Sequence, residues 1–171
     1  DKAGNRSAWV SDTTVYDATP PVVAAATITS PNGGEVWQTN TANAVTWNSD
    51  SIFDAVQLKA KPVMLEYSTD GVTWNLMASG KANDGSYLWT PTLNHPTVRV
   101  RITAVDSAGN SASDTSDATF IVDNAAPTVA GNTVTSPNGG EVWAGGSTHS
   151  ITWNSGSIAD MRLKNLPVAL R

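Results

Sequence analysis

Acidic side chains in loops and at strand ends are the residues of this sequence with the clearest capacity for chemistry. Calcium in proteins takes about six to eight oxygen ligands, mostly carboxylate and carbonyl oxygens. We therefore predict calcium sites where acidic loops meet at boundaries between domains. The sequence has no Asp-x-Asp-x-Asp-Gly loop, so the ligands would come from separate segments. The predicted ligands are Asp1, Asp17, Glu35, Asp106, Asp123 and Glu141.

The same carboxylates also have a purely structural interpretation. Asp and Asn side chains commonly form hydrogen bonds with the backbone of their own turn. On this interpretation Asp106 and Asn110 cap a turn, and Asp123 is solvated. The residues alone leave both interpretations open. Apart from calcium, we predict no cofactor.

The remaining residue types argue against catalysis. His95 lies in a predicted turn and His149 at a predicted strand start, so they form neither a zinc site nor a catalytic pair. The pair Gly33-Gly34 lacks the rest of a phosphate-binding motif. The absence of cysteine excludes disulfides and thiol chemistry. We predict that the chain is not an enzyme.

Composition narrows the classes of partner. The net charge is −5 and no basic run occurs, which argues against a nucleic acid partner. No apolar run approaches the roughly 18 residues of a membrane span. Hydrophobic residues make up 40% of the chain, enough for a packed core, and charged residues only 15%. The abundant Thr, Ser, Asn and Gly are typical of exposed strands and turns.

The elements that must position the acidic residues are organised as an internal repeat. The segment Thr27–Trp37 recurs almost unchanged as Thr133–Trp143, and Asp1–Asn5 recurs as Asp106–Asn110. Self-similarity at a fixed period is the signature of a repeat architecture. We divide the chain into residues 1–17, the C-terminal strand or strands of one repeat; 18–126, a complete repeat with its linker; and 127–171, the N-terminal part of a third.

The third piece stops at Arg171, where the complete repeat continues through Leu65–Tyr67. The strands needed to cover its core would then be missing. We therefore expect the 171 residues to be a window on a longer protein.

Alternation of apolar and polar residues predicts β-strands. It is clearest in Thr97–Val105, where one face is apolar and the other carries Arg and Thr. About seven short strands in roughly 100 residues are typical of an immunoglobulin-like antiparallel β-sandwich, here without a disulfide. The segment Ser51–Ala60 is predicted as a short helix or as a loop over one end. The other predicted strands are Val22–Thr29, Ala44–Asn48, Val63–Ser68, Trp74–Ala78, Tyr87–Thr90 and Ala118–Val122.

Seven tryptophans are many for this length. Four lie in or beside predicted strands with apolar neighbours, which favours core packing over an exposed sugar-binding face. Trp9 aligns with Asp114, a polar position, and is predicted to be exposed or at an interface. The four predicted core tryptophans are Trp37, Trp47, Trp74 and Trp89.

These motifs resemble a known family. The pattern Ser-Pro-Asn-Gly-Gly-Glu-x-Trp, followed by x-Thr-Trp, Glu-Tyr-Ser-Thr-Asp-Gly-x-Thr-Trp and Asp-Gly-Ser-Tyr-x-Trp, resembles Ig-like repeats of large bacterial and archaeal surface proteins. It is also similar to the Ser/Thr-rich Ig-like domain of fungal cell-wall proteins. The Asp-x-Ala-Gly-Asn motif and the linker that follows resemble those of bacterial adhesin repeats. The resemblance implies an extracellular, non-catalytic module arranged in series.

We expect a structural spacer of an extracellular surface protein, stalk or filament, in which each repeat folds alone and the array sets the reach. Its partners would be neighbouring repeats and other copies in a fibre. One alternative is an adhesin or carbohydrate-binding module that contacts surface glycans. Another is an accessory domain of a large secreted hydrolase.

Overall fold

A computed structural model describes residues 2–3, 15–160, 162–163 and 168–169. This part of the chain is nearly all β, with two short 3₁₀ helices, Ser49–Ser51 and Ser155–Ser157. None of its helices is long and apolar enough to cross a membrane. In chain order the strands are β1 (Val22–Val23), β2 (Ile28–Ser30), β3 (Val36–Gln38), β4 (Asn43–Trp47), β5 (Ile52–Phe53), β6 (Leu58–Ser68), β7 (Asn75–Lys81), β8 (Ser86–Trp89), β9 (His95–Asp106), β10 (Ser111–Thr115), β11 (Phe120–Asp123), β12 (Thr128–Val129), β13 (Val134–Ser136), β14 (Thr152–Trp153) and β15 (Ile158–Ala159).

Two sheets form the body of residues 18–126. One has three antiparallel strands in the order β2-β4-β8. The other has the order β3-β11-β9-β6-β7, with β10 also paired to β9. Its strands are antiparallel except for β3 and β11, which run parallel with Trp37 opposite Val122. The predicted all-β architecture is confirmed, and the two sheets form a sandwich-like arrangement.

Buried apolar side chains from both sheets meet in one core cluster. Strand β9 shows how the pattern produces it, since Val98, Val100, Ile102 and Ala104 are buried whereas Arg99 is half-buried. This is the alternation expected of a strand with one wet face. The other core side chains are Ile28, Trp37, Val45, Trp47, Ile52, Val63, Leu65, Trp89, Phe120 and Val122.

The helix predicted for Ser51–Ala60 is wrong. Ile52 and Phe53 form strand β5 instead, with Val23 opposite Ile52. Ile52 is buried in the core, and the carboxylate of Asp54 accepts hydrogen bonds from Val56 N and Gln57 N in the turn that follows. The segment is therefore extended because a β-branched residue packs into the core and an Asp closes a turn.

The strand predicted for Val22–Thr29 is divided in two. Its first part pairs with β5 and its second part with β4. Ala26 adopts a φ of 60° in the turn between them, and Thr27 Oγ1 donates to Ala24 O at 2.6 Å. The prediction of a turn at His95 is also wrong, because this residue begins β9.

Residues 128–159 form two small ladders of their own. Strand β12 pairs with β15, and β13 pairs with β14. These ladders lie at the positions equivalent to β1-β5 and β2-β4. His149, predicted at a strand start, lies outside the strands, and its ring stacks on Trp143 at 4.4 Å between centroids.

Candidate functional site

Three carboxylates from separate segments meet at one end of residues 18–126. They belong to Asp17 in the segment before β1, Asp54 after β5 and Asp106 at the end of β9. One carboxylate oxygen of each lies within 4.8 Å of those of the other two. Asp106 is buried and the other two are half-buried. The fold therefore brings together acidic groups that are far apart in the sequence.

Asp106 is held by the turn that follows it. Its Oδ1 accepts hydrogen bonds from Gly109 N at 2.6 Å and Asn110 N at 2.8 Å. Its Oδ2 accepts one from Asn110 Nδ2 at 2.8 Å. Burial acts to raise the pKa of Asp106, but the hydrogen bonds from Asn110 and the turn outweigh it and lower the pKa below its ordinary value. The group is therefore an anion at neutral pH.

Asn110 joins this turn to the segment that precedes β1. Its Nδ2 lies 3.4 Å from Asp17 O and 3.4 Å from Thr19 O. Asp17 Oδ1 accepts a hydrogen bond from Thr19 N at 3.0 Å, which shapes the same segment. The residues that lead into the 18–126 unit are therefore tied to the end of strand β9.

The oxygen chemistry of this cluster suits a hard cation. Among the described residues, the hydrogen bonds of Asp17 and Asp54 involve Oδ1 alone, so each Oδ2 is available as a ligand. Like charges at this separation repel each other, and a divalent cation would offset that repulsion. A calcium ion at this cluster would need further oxygen ligands beyond the three side chains, from backbone carbonyls or water.

The structure places the six predicted ligands differently. It brings Asp17 and Asp106 together, whereas Asp123 Oδ1 accepts a hydrogen bond from Ala125 N at 2.9 Å in its own turn. Glu35 accepts hydrogen bonds from two backbone N–H groups of its own loop, and Glu141 does the same in the equivalent loop. Asp1 lies outside the described residues.

Asp54 was missed by the sequence analysis. The repeat alignment pairs it with Asp160, so the criterion of an acidic residue at both repeated positions would have included it. Neither the helix nor the loop predicted for Ser51–Ala60 indicated that Asp54 lies in a turn beside Asp106.

Three of the four tryptophans predicted to lie in the core are buried, and the fourth is partly exposed. Trp37, Trp47 and Trp89 are buried, which confirms the prediction for these three. Trp74 is half-buried, and the guanidinium of Arg101 lies 4.3 Å from its ring centroid. Arg101 is held there by Glu66 at 2.7 Å, so one face of the Trp74 ring is covered. Trp9 lies outside the described residues.

A small polar hollow lies beside the turn between β6 and β7. Its volume is about 140 Å³, below the roughly 300 Å³ at which drug-sized ligand pockets begin. Asp70 on its rim accepts hydrogen bonds from Val72 N, Thr73 N and Ser68 Oγ, which hold its pKa well below the usual range. The carboxylate of Asp70 thus serves the turn. The hollow is lined by Ser68, Thr69, Asp70, Gly71, Thr97, Arg99 and Thr119.

The side chains of the two histidines contact residues close to them in the sequence. His95 Nδ1 lies 3.1 Å from Thr97 O and 3.2 Å from Thr97 N, and His149 stacks on Trp143.

Comparison with protein-family models, with curated proteins and with solved structures found no match to this chain.

Proposed function

We propose that this chain belongs to an array of Ig-like repeats that act as a structural spacer in an extracellular surface protein, stalk or filament. The strand order supports this proposal. The order β2-β4-β8 in one sheet and β11-β9-β6 in the other is compatible with an Ig-like sandwich, in which β4 and β8 would correspond to strands B and E, and β6, β9 and β11 to strands C, F and G. The repeated sequence and the short linkers agree with modules arranged in series.

The observation that carries the proposal is the attachment of the Asp17–Thr19 segment to the next unit through Asn110. A spacer sets reach only if its junctions restrict the angle between neighbouring domains. Contacts from one side chain to two backbone carbonyls restrict the segment without needing a large interface. The junction then limits the angle between neighbouring domains and so keeps the array extended.

A domain exchange tests the spacer function. In the surface protein that contains this chain, residues 18–126 would be replaced by an unrelated β-sandwich of the same end-to-end length. A spacer predicts unchanged reach from the cell surface, and replacement by a shorter domain predicts reduced reach. Loss of function with the length-matched domain would contradict the proposal.

A second test addresses the junction itself. Asn110→Ala should increase the hydrogen exchange rate of the amides at residues 17–19, because both carbonyl contacts of the side chain are lost. Asn75→Ala, on exposed strand β7, is the matched control. Equal exchange rates in the two variants would rule out the role of Asn110.

We also propose that the cluster of Asp17, Asp54 and Asp106 binds calcium. The supporting observation is that Asp17 is the last residue of the 1–17 piece, whereas Asp54 and Asp106 belong to residues 18–126. An ion would join these segments and stiffen the junction. A ligand that binds only the folded state raises its melting temperature, so addition of calcium should raise Tm and a chelator should reverse it.

Asp54→Asn should abolish the calcium-dependent increase in Tm, because it removes a charged ligand without touching the linker. Asp84→Asn, another acidic turn residue outside the cluster, should retain it. A Tm of the unaltered chain that calcium leaves unchanged would refute the calcium site while leaving the spacer proposal intact.

A carbohydrate-binding role has one observation in its favour. Trp74 is half-buried beside strand β7, and Leu76 on that strand is exposed. A partly exposed aromatic ring can stack on a sugar. A glycan array would test this, with Trp74→Ala as the variant expected to lose binding. An array without any bound glycan would exclude the role.

A further inference from the structure

The pairing of β1 with β5 leaves apolar side chains directed away from the core. Val22 lies opposite Phe53 in this ladder, and Val23 lies opposite Ile52. Successive side chains of a strand point to opposite faces, so the two pairs lie on opposite faces of the ladder. Ile52 is buried in the core, and Val23 packs against the core cluster. Val22 and Phe53, on the other face, are 44% and 54% exposed.

A third apolar side chain is exposed at the same end of the unit. Val56 lies in the turn that follows β5 and is 54% exposed. Its backbone N donates to Asp54 Oδ1 at 2.8 Å, which places this turn beside the carboxylate cluster. We call Val22, Phe53 and Val56 the junction patch.

The chain that enters the unit passes close to the junction patch. Asp17 ends the piece assigned to the preceding repeat, and one of its carboxylate oxygens lies within 4.8 Å of one on Asp54, the residue after Phe53. The five residues from Asp17 to Val22 reach at most about 18 Å when fully extended. Pro21 in this segment is buried, and its ring restricts the backbone. A domain that ends at Asp17 therefore lies beside the patch.

We propose that the junction patch is a docking surface for the C-terminal end of the preceding repeat. This inference rests on the proposed array, because it requires a repeat that ends at Asp17. Docking removes the Phe53 ring and the Val22 side chain from water, and the burial of apolar surface stabilises the contact. The patch and the hydrogen bonds of Asn110 then restrict the same junction.

A covalently linked neighbour suits this patch better than a second copy of the chain. A stable complex between separate chains buries about 800 Å² on each partner, and three partly exposed side chains offer far less. A short linker makes docking intramolecular, with an effective concentration in the millimolar range. A small apolar contact is therefore sufficient between neighbouring repeats.

The next repeat has smaller side chains at the equivalent positions. Thr128 and Ala159 correspond to Val22 and Phe53, and they lie opposite each other in the same register. Thr128 Oγ1 also donates to Ala159 O at 3.0 Å. The two large apolar groups of the first junction are thus replaced by a hydroxyl and a methyl group at the second. Apolar docking through this face is specific to the first junction, and the joints of the array differ in stiffness.

Hydroxyl-radical labelling, read by mass spectrometry, tests the docking because it reports the accessibility of each side chain. It would be applied to the 171-residue chain and to the full-length protein that contains it. Docking predicts several-fold less labelling of Phe53 in the full-length protein. Leu76 and Leu88, which are 60% and 68% exposed on β7 and β8, are the controls and should be labelled equally in both.

Equal labelling of Phe53 in the two proteins would overturn the docking proposal. If the length-matched domain exchange also left the reach unchanged, the spacer function would stand without the docked joint. Protection of Phe53 by a covalent neighbour does not depend on protein concentration. Protection that increased with concentration would assign the patch to a second copy and would likewise overturn the proposal.

A variant tests whether Phe53 anchors the contact. In the full-length protein, Phe53→Ala should raise the labelling of Val22 several-fold, because the largest apolar group of the patch is lost. Leu88→Ala, which removes an equally exposed side chain elsewhere, is the matched control and should leave Val22 protected. Circular dichroism checks that each variant is folded. A folded Phe53→Ala variant in which Val22 stays protected would contradict the proposal.

Discussion

Residues 22–53 and residues 128–159 have the same local structure in two different surroundings. Both contain a cis Ser-Pro bond, a Glu that binds two backbone N–H groups, and an Asn-capped 3₁₀ helix. Their ladders correspond as well, with Ile28 opposite Trp47 in one and Val134 opposite Trp153 in the other. Similar local sequence therefore produces similar turns, caps and short ladders.

The two regions differ in how deeply their equivalent side chains are buried. Ile28 is 1% exposed whereas Val134 is 43% exposed, and Trp47 is 4% exposed whereas Trp153 is 40% exposed. The first region lies against the large sheet that contains β6, β9 and β11, whereas the second has only its own ladders among the described residues. The difference teaches that local structure here is set by near neighbours in the sequence, and core burial by strands far along the chain.

The largest expected effect comes from the equivalent tryptophans. Trp47→Ala should cost about 3–5 kcal/mol of unfolding free energy, because it leaves a cavity in the core and removes the hydrogen bond to Asn83. Trp153→Ala should cost less than about 1 kcal/mol, as a partly exposed residue does. Urea denaturation followed by circular dichroism measures both. Similar losses would show that the two regions are not distinguished by burial.

The next largest effect on stability is expected at Gly33 and Gly139, the first glycines of the two Ser-Pro-Asn-Gly-Gly loops. A Cβ built on Gly33 lies 2.5 Å from Ala118 Cβ, whereas one on Gly139 has no neighbour within 4 Å. Both positions have a positive φ, so both alanine variants are strained. Gly33→Ala should cost about 1–3 kcal/mol more than Gly139→Ala, because of the additional overpacking. Thermal melts of the two variants test this difference, and equal shifts in Tm would argue against the contact with Ala118.

Acid should weaken the two regions through different carboxylates. The folded-state pKa of Asp106 is lowered from 3.8, and that of Glu141 is lowered from 4.5. A lowered pKa contributes stability above the unfolded value, and this contribution is lost as pH falls through the folded value. The free energy of unfolding should therefore decrease as pH falls below the unfolded pKa values of these two groups. In Asp106→Asn this decrease should be smaller. Tm measured against pH tests this, and an unchanged profile in the variant would contradict it.

The smallest effect is expected where the two regions are most alike. Thr29 and Thr46 lie 2.7 Å apart between Oγ1 atoms, and the exposed pair Thr135 and Thr152 has the same distance. Thr46→Ala should cost only about 0.2–1 kcal/mol, as cross-strand pairs on an exposed face do. Thr152→Ala should be no more harmful. A large loss for Thr46→Ala alone would show that this pair supports the core as well as the ladder.

The sequence predicted the all-β architecture and the burial of Trp37, Trp47 and Trp89, because alternation and repetition record which positions face a core. It failed at Ser51–Ala60, where apolar residues at helical spacing are extended by pairing with β1. It also failed at Trp74, whose place beside an outer strand depends on Arg101 from another strand. These errors arise where a distant partner overrides the local pattern.

In the candidate site too, some residues were predicted from the sequence and another is revealed only by the fold. Asp17 and Asp106 were predicted from their repeated positions, and the fold brings them together. Asp54 joins them only because β5 ends beside β9, and Glu35 and Asp123 bind backbone groups of their own turns. Spacing in the sequence does not reveal which carboxylates converge, since convergence depends on strand connections.

The sequence by itself determined the repeat, the turns that follow Pro31 and Pro137, the Asn-capped 3₁₀ helices and the apolar face of β9. These features depend on backbone preferences and on hydrogen bonds between residues a few positions apart. Only the tertiary structure decided that Trp47 is buried, that Asp54 joins Asp106, and that Asn32 is bound to Asp117. Each of these outcomes needs a partner from a remote strand or turn, whose position follows from the packing of the whole sandwich.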